Sequence, residues 1–409
     1  MSKVYRTQKR RLCKMKRITF LLKFILLLPT ILSAQVIEQR KVIRIVDSAR
    51  VSDKKHGIYL SNVKQIARLT GAPLKGEEFP GPNKTSEKYD VGGTDLGIIW
   101  EMDSSNAGIF FGDTNGQDFE AGKGGKGGGN GSNWRSNVLA FSNDTALDDG
   151  LTINRMLLDS SGKAREICAG AKNNPGKYNT SIPTAAIRAG GIDYVHYMNI
   201  YEWAGGKGRW LTNFSSLYAS GDGGKNWTRK EEVTFKSDSK FSQVAYAKRE
   251  GFVYMIGTLA GRGSPAYLAR IKEEDMLKME EYEYWNGDSK KWIKNDENAA
   301  TVLIPGPVGE ASLLYHETYK RWIITYSYDA AYNNKERKKM HALVYRDATE
   351  INGTWSDLKI LVTDKEYPEL YSPYMHPLKN KGNKLYFTMS LWRPYNVFLM
   401  TADIQVLQN

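Results

Sequence analysis

Apolar positions in this chain come in short, β-rich runs broken by turn residues, and almost nowhere at helical spacing. Leu96 to Met102 is one such run and Ile109 to Gly112 another. Asp103-Ser104-Ser105-Asn106-Ala107 between them is turn chemistry, so Gly93–Gly116 is expected to form a β-hairpin. A related unit recurs: a polar residue opens an apolar strand, a turn follows, then an aromatic-rich strand, then a strand with polar decoration and Gly or Trp. Copies start near Asp95, Ser181, Phe241, Glu310 and Tyr371, about 60–85 residues apart. Four-stranded propeller blades often take about 40–50 residues, so the spacing reads as five blades with long loops. The expected fold is all-β, a five-bladed β-propeller; a sandwich pair or irregular barrel is the competing arrangement. Val63 to Leu69 reads as a strand that supplies the outer edge of the last blade and closes the ring. The one helical pattern is Glu273 to Met279.

Composition agrees with many strands and tight turns: the 409 residues include 24 Tyr, 10 Trp and 38 Gly. The N-terminus departs from it. Basic residues at Arg10-Arg11 and Lys14–Arg17 precede the apolar run Phe20–Ala34, which ends in small residues. Residues 1–34 therefore read as a signal peptide cleaved after Ala34, with export to the periplasm or beyond and no membrane span left after its removal. Residues 35–62 read as a charged N-terminal arm and 63–409 as the catalytic propeller. The formal charge of +13 includes nine Lys or Arg in residues 1–34. The mature chain keeps about +4, too little to suggest a nucleic-acid partner. Cys13 leaves with the signal, and Cys168, left alone, reads as a small buried hydrophobe.

Chemistry centres on the hairpin. Asp95 and Asp113 lie equidistant from position 104, inside the turn. Mirrored residues of an antiparallel pair face each other with Cβ atoms about 4.5–5.5 Å apart. Two carboxyls that close resist ionising together, which separates their pKa values and yields the acid and base that glycosidic-bond hydrolysis needs. Such proximity suits the retaining separation of about 5–5.5 Å. In a propeller, the residues that open the inner strands meet at one face of the channel. That collects Asp95, Thr184, Gln243, Glu310 and Pro373, with Asp113 beside Asp95. Glu310 is a third catalytic candidate, and as the partner across the channel it would favour inversion, with a separation of about 6.5–9.5 Å.

Trp134, Arg135, His196, Tyr197, Tyr371, Tyr374, His376, Trp392 and Asn396 lie in or near the same strands and form the expected sugar-binding set of aromatic platforms and polar donors. Ser220-Gly221-Asp222-Gly223-Gly224-Lys225-Asn226-Trp227 fits the Asp-box pattern S-x-D-x-G-x-x-W, a structural hairpin of propellers. Gly122-x-Gly124-x-x-Gly127 spells a dinucleotide motif but follows no βα unit, so residues 117–133 read as a flexible loop, a mobile rim over the site. The five His show no metal-ligand spacing, and no cofactor is expected.

The stretches TDLGIIWE, IFFGDTNG, WRSNVLAFSND, VHYMNIYEW, GEASLLYHETYKRWIITY and YSPYMHPLKNKGNKLYFTMSLWRPYNVFLM resemble a family of secreted five-bladed propellers, once a domain of unknown function and now associated with endo-D-arabinofuranases (glycoside hydrolase family 183). The resemblance runs from about Val63 to Ile404. It implies endo-hydrolysis of α-linked D-arabinan of mycobacterial arabinogalactan and lipoarabinomannan, with the catalytic pair at Asp95 and Asp113. Two rivals predict different features. A non-catalytic glycan-binding propeller needs no open acid pair, and a sialidase-like or L-arabinan-active enzyme is the other alternative. The sialidase case requires an arginine cluster, for which Arg135, Arg188 and Arg393 are available.

Overall fold

The computed structural model describes residues 57–123, 128–169, 178–332 and 340–406. The signal peptide and residues 35–56 of the arm lie outside the described residues. Five antiparallel sheets make five blades. Blade 1 is β2 (Leu96–Glu101), β3 (Ala107–Phe111), β4 (Val138–Ser142) and β5 (Arg155–Met156). Blade 2 is β6 (Thr180–Ala189), β7 (Ile192–Glu202), β8 (Leu211–Ser220) and β9 (Thr228–Lys236). Blade 3 is β10 (Gln243–Arg249), β11 (Phe252–Thr258), β12 (Ser264–Lys272), β13 (Glu283–Asn286) and β14 (Lys291–Lys294), with β15 (Ile304–Val308) paired to β12. Blade 4 is β16 (Ala311–His316), β17 (Arg321–Asp329), β18 (His341–Ala348) and β19 (Lys359–Thr363). Blade 5 is β20 (Leu370–Met375), β21 (Lys384–Leu391) and β22 (Asn396–Val406), completed on its outer edge by β1 (Ile58–Arg68). The closing strand is the expected one, but it starts at Ile58 rather than Val63, which moves the arm's boundary. Glu273–Met279 is not an α-helix; it breaks into 3-10 turns at Glu273–Asp275 and Met279–Glu281.

The inner strands β2, β6, β10, β16 and β20 touch in cyclic order, β20 meeting β2 again. Local chemistry sets the hairpins that feed this ring. Ala189 pairs with Ile192 and Arg249 with Phe252. Their two-residue turns, Gly190-Gly191 and Glu250-Gly251, take positive φ throughout, the geometry that matches strand twist. Five apolar clusters fill the interfaces between neighbouring blades. The Asp box serves one of them. Asp222 Oδ1 accepts from the backbone N–H of Lys225 and Asn226, and Trp227 Nε1 closes on Gly224 O at 2.9 Å. The Trp227 ring then meets Phe110 and Trp100 edge-on between blades 1 and 2. Those amide donors hold the Asp222 carboxyl down at about 2. Cys168 is fully buried in the same cluster.

Two expected sugar contacts are core residues. His196 is buried between blades 2 and 3, its ring nitrogens 3.1 Å from Tyr246 Oη and 3.2 Å from Ser242 O. Tyr197 packs on Tyr218 and Phe214 between blades 1 and 2. Both sit on β7, a second strand, which does not line the channel. His376 follows the far end of β20 and is buried on the opposite face.

Burial pushes His196 down to about 3 and His316 and His376 to about 4. A histidine whose folded pKa lies below its unfolded value of about 6.5 costs nothing at higher pH and destabilises the fold as pH falls toward the folded value. His376→Leu should therefore gain on the wild type by roughly 2 kcal/mol between pH 7.5 and 4.5 in urea unfolding; a difference that does not change with pH would contradict this.

Candidate active site

Because the inner strands run the same way through the ring, their first residues gather at one mouth. They are Asp95, immediately before β2; Thr180 on β6; Gln243 on β10; Glu310, immediately before β16; and Tyr371 on β20. Thr184 and Pro373 fall inside their strands instead. Register shifts at Pro183/Ala185 and Tyr371/Tyr374 displace both strands from a regular count.

The same kind of irregularity reshapes the hairpin. Ile99 pairs with Ile109 and Gly93 bridges to Asn115, so the mirror about position 104 holds on either side of the aspartates. Between them it slips: Leu96 pairs with Phe111, and Gly112 N–H donates to Asp95 O at 3.1 Å. Asp95 thus stands opposite Gly112, not Asp113. Leu96 and Gly97 absorb the shift at φ of 71° and 78°, a costly conformation for leucine. Gly112 leaves room for the Asp95 carboxyl: a Cβ there would meet Asp95 Oδ1 and force it to shift. Asp113 is then offset by one residue and accepts from Thr180 Oγ1 at 2.5 Å. The backbone of Arg135 pairs with Thr114, which brings the Trp134 indole to hydrogen-bond Asp113. Asp95 Oδ2 accepts from Tyr371 Oη at 3.0 Å, and Tyr395 bonds to the same carboxyl. Asp95 Oδ1 is buried and takes no hydrogen bond from the described residues.

Burial, and next the neighbouring Asp113 charge, push the Asp95 carboxyl well above the carboxylate range; Glu310 adds to the rise, while Tyr371 and Arg262 oppose it. Burial raises Asp113 to about 7 against the pull of Thr180 and Trp134, with Glu166 adding to the rise. Two carboxyls side by side, both reluctant to ionise, can hold one proton between them and deliver it.

Glu310 is not a third free carboxyl. Arg262 Nε lies 3.0 Å from both its oxygens and Nη2 2.6 Å from Oε1. The guanidinium in turn lies 5.2 Å from the Tyr371 ring and 5.7 Å from that of Trp210. Glu310 is thus ion-paired to Arg262, whose guanidinium lies against the tyrosine that bonds Asp95. Trp392 stands exposed at the rim, edge-on to Tyr371 and Tyr395. Tyr374 is buried with Tyr371 and Leu96. Arg135 is committed to the carbonyls of Ala164 and Asp90, and Asn396 to Arg68 and Gly92 O. Both are scaffold rather than sugar contacts.

Thr180 and Arg262 were not foreseen. Gly261-Arg262-Gly263 was a legible signal: a Cβ at Gly261 would collide with the backbone of residues 208–210, so glycine lets that loop lie against Arg262. The 117–133 segment is not a loose rim where it is described. Gly116 N–H donates to Ser132 O at 2.7 Å, and Phe119 packs 6.0 Å from the Tyr395 ring. Residues 124–127 of that segment lie outside the described residues. Among the described residues no group of three or more His, Cys, Asp or Glu side chains could hold a metal ion. Also among them, no helix is long and apolar enough to cross a membrane.

Fold and site define a class: a five-bladed propeller with a half-buried carboxyl pair at one mouth of its channel. Within it, the chain belongs to the family described as Domain of unknown function (DUF4185), which it matches over residues 80–401. It is 24% identical over 337 residues to Notoamide biosynthesis cluster protein J of Aspergillus sp. (strain MF297-2), covering 78% of this chain and 85% of that protein. Among solved structures it is similar to a "putative hydrolase" from Bacteroides ovatus ATCC 8483, with a TM-score of 0.51 at 11% identity, covering 77% of this chain and 86% of the other. The α-L-arabinofuranosidase PaAbf62A from Podospora anserina is more distant, with a TM-score of 0.44 at 10% identity, covering 85% and 98%. At these identities the likeness is one of fold.

A carboxyl whose folded pKa is raised favours folding below its unfolded pKa, and that advantage is lost as pH rises. Asp95→Asn should therefore raise the melting temperature relative to wild type at pH 8 and do so less at pH 5; equal or lower stability at pH 8 would contradict the burial cost assigned to Asp95.

Proposed function

We propose that this protein is an exported glycoside hydrolase that cleaves within chains of α-linked D-arabinofuranose, the polymer of mycobacterial arabinogalactan and lipoarabinomannan. The observation that carries the reading is the Asp95–Asp113 pair, with both carboxyls raised and neither accepting a backbone N–H among the described residues. A glycan-binding propeller without catalysis would not need to bear the cost of burying two such groups. The family resemblance supplies the linkage and the endo mode, and the apolar run before Ala34 supplies export. A sialidase-like reading loses its support. Arg135 is held by backbone carbonyls, Arg188 pairs with Asp193 near the far end of β6, and Arg393 pairs with Glu369.

Thr180 and the Trp134 indole stabilise the ionised form of Asp113. Asp113 is then the nucleophile, or the base that activates water, and Asp95 the acid that protonates the leaving oxygen. Purified protein incubated with D-arabinan, L-arabinan and sialoglycans should release an oligosaccharide ladder from D-arabinan. Asp113→Asn should abolish the ladder with folding intact; near-normal release by that variant would sink the assignment.

The pH profile tests the roles. Activity requires Asp113 ionised and Asp95 protonated, so kcat/KM should fall on the acidic side near pH 7 and on the basic side above it. Thr180→Ala removes a donor to ionised Asp113 and should move the acidic limb upward. An acidic limb that stays put in the variant would exclude Asp113 as the group titrating there.

A further inference from the structure

In every blade the connection between the second and third strands lies at the Asp95 mouth, because the inner strand starts there and the next runs back to it. Five aromatic side chains are more than a third exposed among the described residues: Tyr59, Trp134 (38%), Trp203 (38%), Tyr332 (37%) and Trp392 (45%). All but Tyr59 sit on these connections. Trp134 and Trp392, from adjacent blades 1 and 5, flank the carboxyl pair. Trp203 and Tyr332 belong to blades 2 and 4, and they converge over blade 3. The loop of blade 2 bridges to that of blade 3 at Arg209–Gly261, and a Cβ on Gly208 would lie 2.8 Å from the Tyr332 ring. Trp203 packs edge-on against Trp210 at 5.2 Å, and Trp210 neighbours Arg262. In a ring of five, blade 3 lies opposite the junction of blades 5 and 1. Exposed aromatic faces thus stand on both sides of the mouth, joined by the run Trp210, Arg262, Tyr371, Asp95.

The geometry points to a second sugar-binding platform, formed by Trp203, Trp210 and Tyr332, that holds a polysaccharide chain on the side of the mouth remote from Trp134 and Trp392. This rests on the glycoside hydrolase reading above and adds the residues that make the enzyme depend on chain length. Exposed indole and phenol faces on a soluble protein lose contact with water when they stack on the C–H faces of sugar rings. Arg262, fixed by Glu310, lies between the platform and the acid pair. On this reading an oligosaccharide that fills only the site at the carboxyls leaves Trp203 uncovered, and a longer one spans both.

The test uses the full chain carrying Asp113→Asn, titrated with D-arabinan oligosaccharides of graded length and read by tryptophan fluorescence and calorimetry. Adding Trp203→Ala or Tyr332→Ala should weaken binding of long oligosaccharides by about tenfold and leave the shortest unchanged. Trp203→Phe should restore most of the affinity, and Trp134→Ala should weaken short and long alike. In the active background Trp203→Ala should raise KM for long chains with kcat unchanged. Unaltered binding of long chains by both alanine variants overturns the platform. If D-arabinan neither binds nor is cleaved, L-arabinan and sialoglycans are titrated in its place. Trp203-dependent binding of either keeps the platform while the proposed substrate falls, and Trp203-independent binding or none overturns the platform as well.

Discussion

Pairing of β1 with β22 closes the ring, and the position of the acid pair depends on it. The closing strand ends at Arg68, which is almost wholly buried and bonds both Glu77 and Asn396. Asn396 Nδ2 donates to Gly92 O, Thr94 N–H to Tyr395 O, and Leu96 N–H to Ser390 Oγ. The entry to the Asp95 hairpin is thereby tied, one residue after another, to the blade that the chain's two ends build together. A propeller with an unpaired last blade would expose a strand edge and would also release the segment that aims Asp95.

The mouth is where the molecule departs from local preference. A leucine adopts left-handed backbone, two compensating register shifts offset the aspartates, and two carboxyls lie where burial disfavours their charge. Each is unfavourable by itself and is held by the surrounding sheets, a pattern found at sites that work chemically. At the opposite face Asp193 is also raised by burial, but there Trp100 Nε1 and the Arg188 guanidinium both bond the carboxyl and oppose the rise.

Much of this was legible because strands and tight turns are written in local sequence. The five strand starts lie within two residues of the expected positions, the Asp box falls where pattern placed it, and the closing strand is the expected one begun five residues earlier. Residues on second strands were misjudged. His196 and Tyr197 follow the same alternation as channel residues, and only the packing of blade on blade shows that their faces meet neighbouring sheets. Thr180 and Arg262 were missed for the converse reason: each comes from a blade other than that of the aspartates, and the glycines flanking Arg262 mark a close approach without naming what Arg262 or Thr180 would meet across the ring.

The hairpin shows the division most clearly. Its sequence determined that two aspartates flank one turn and so arrive near each other, since turn chemistry and strand alternation act over a few residues. It did not determine that Asp95 would face Gly112, that Glu310 would be taken by Arg262, or that Tyr371 and Thr180 would supply the hydrogen bonds. Those were decided when five sheets closed into a ring, because register slips and burial depend on which distant strands come to lie alongside.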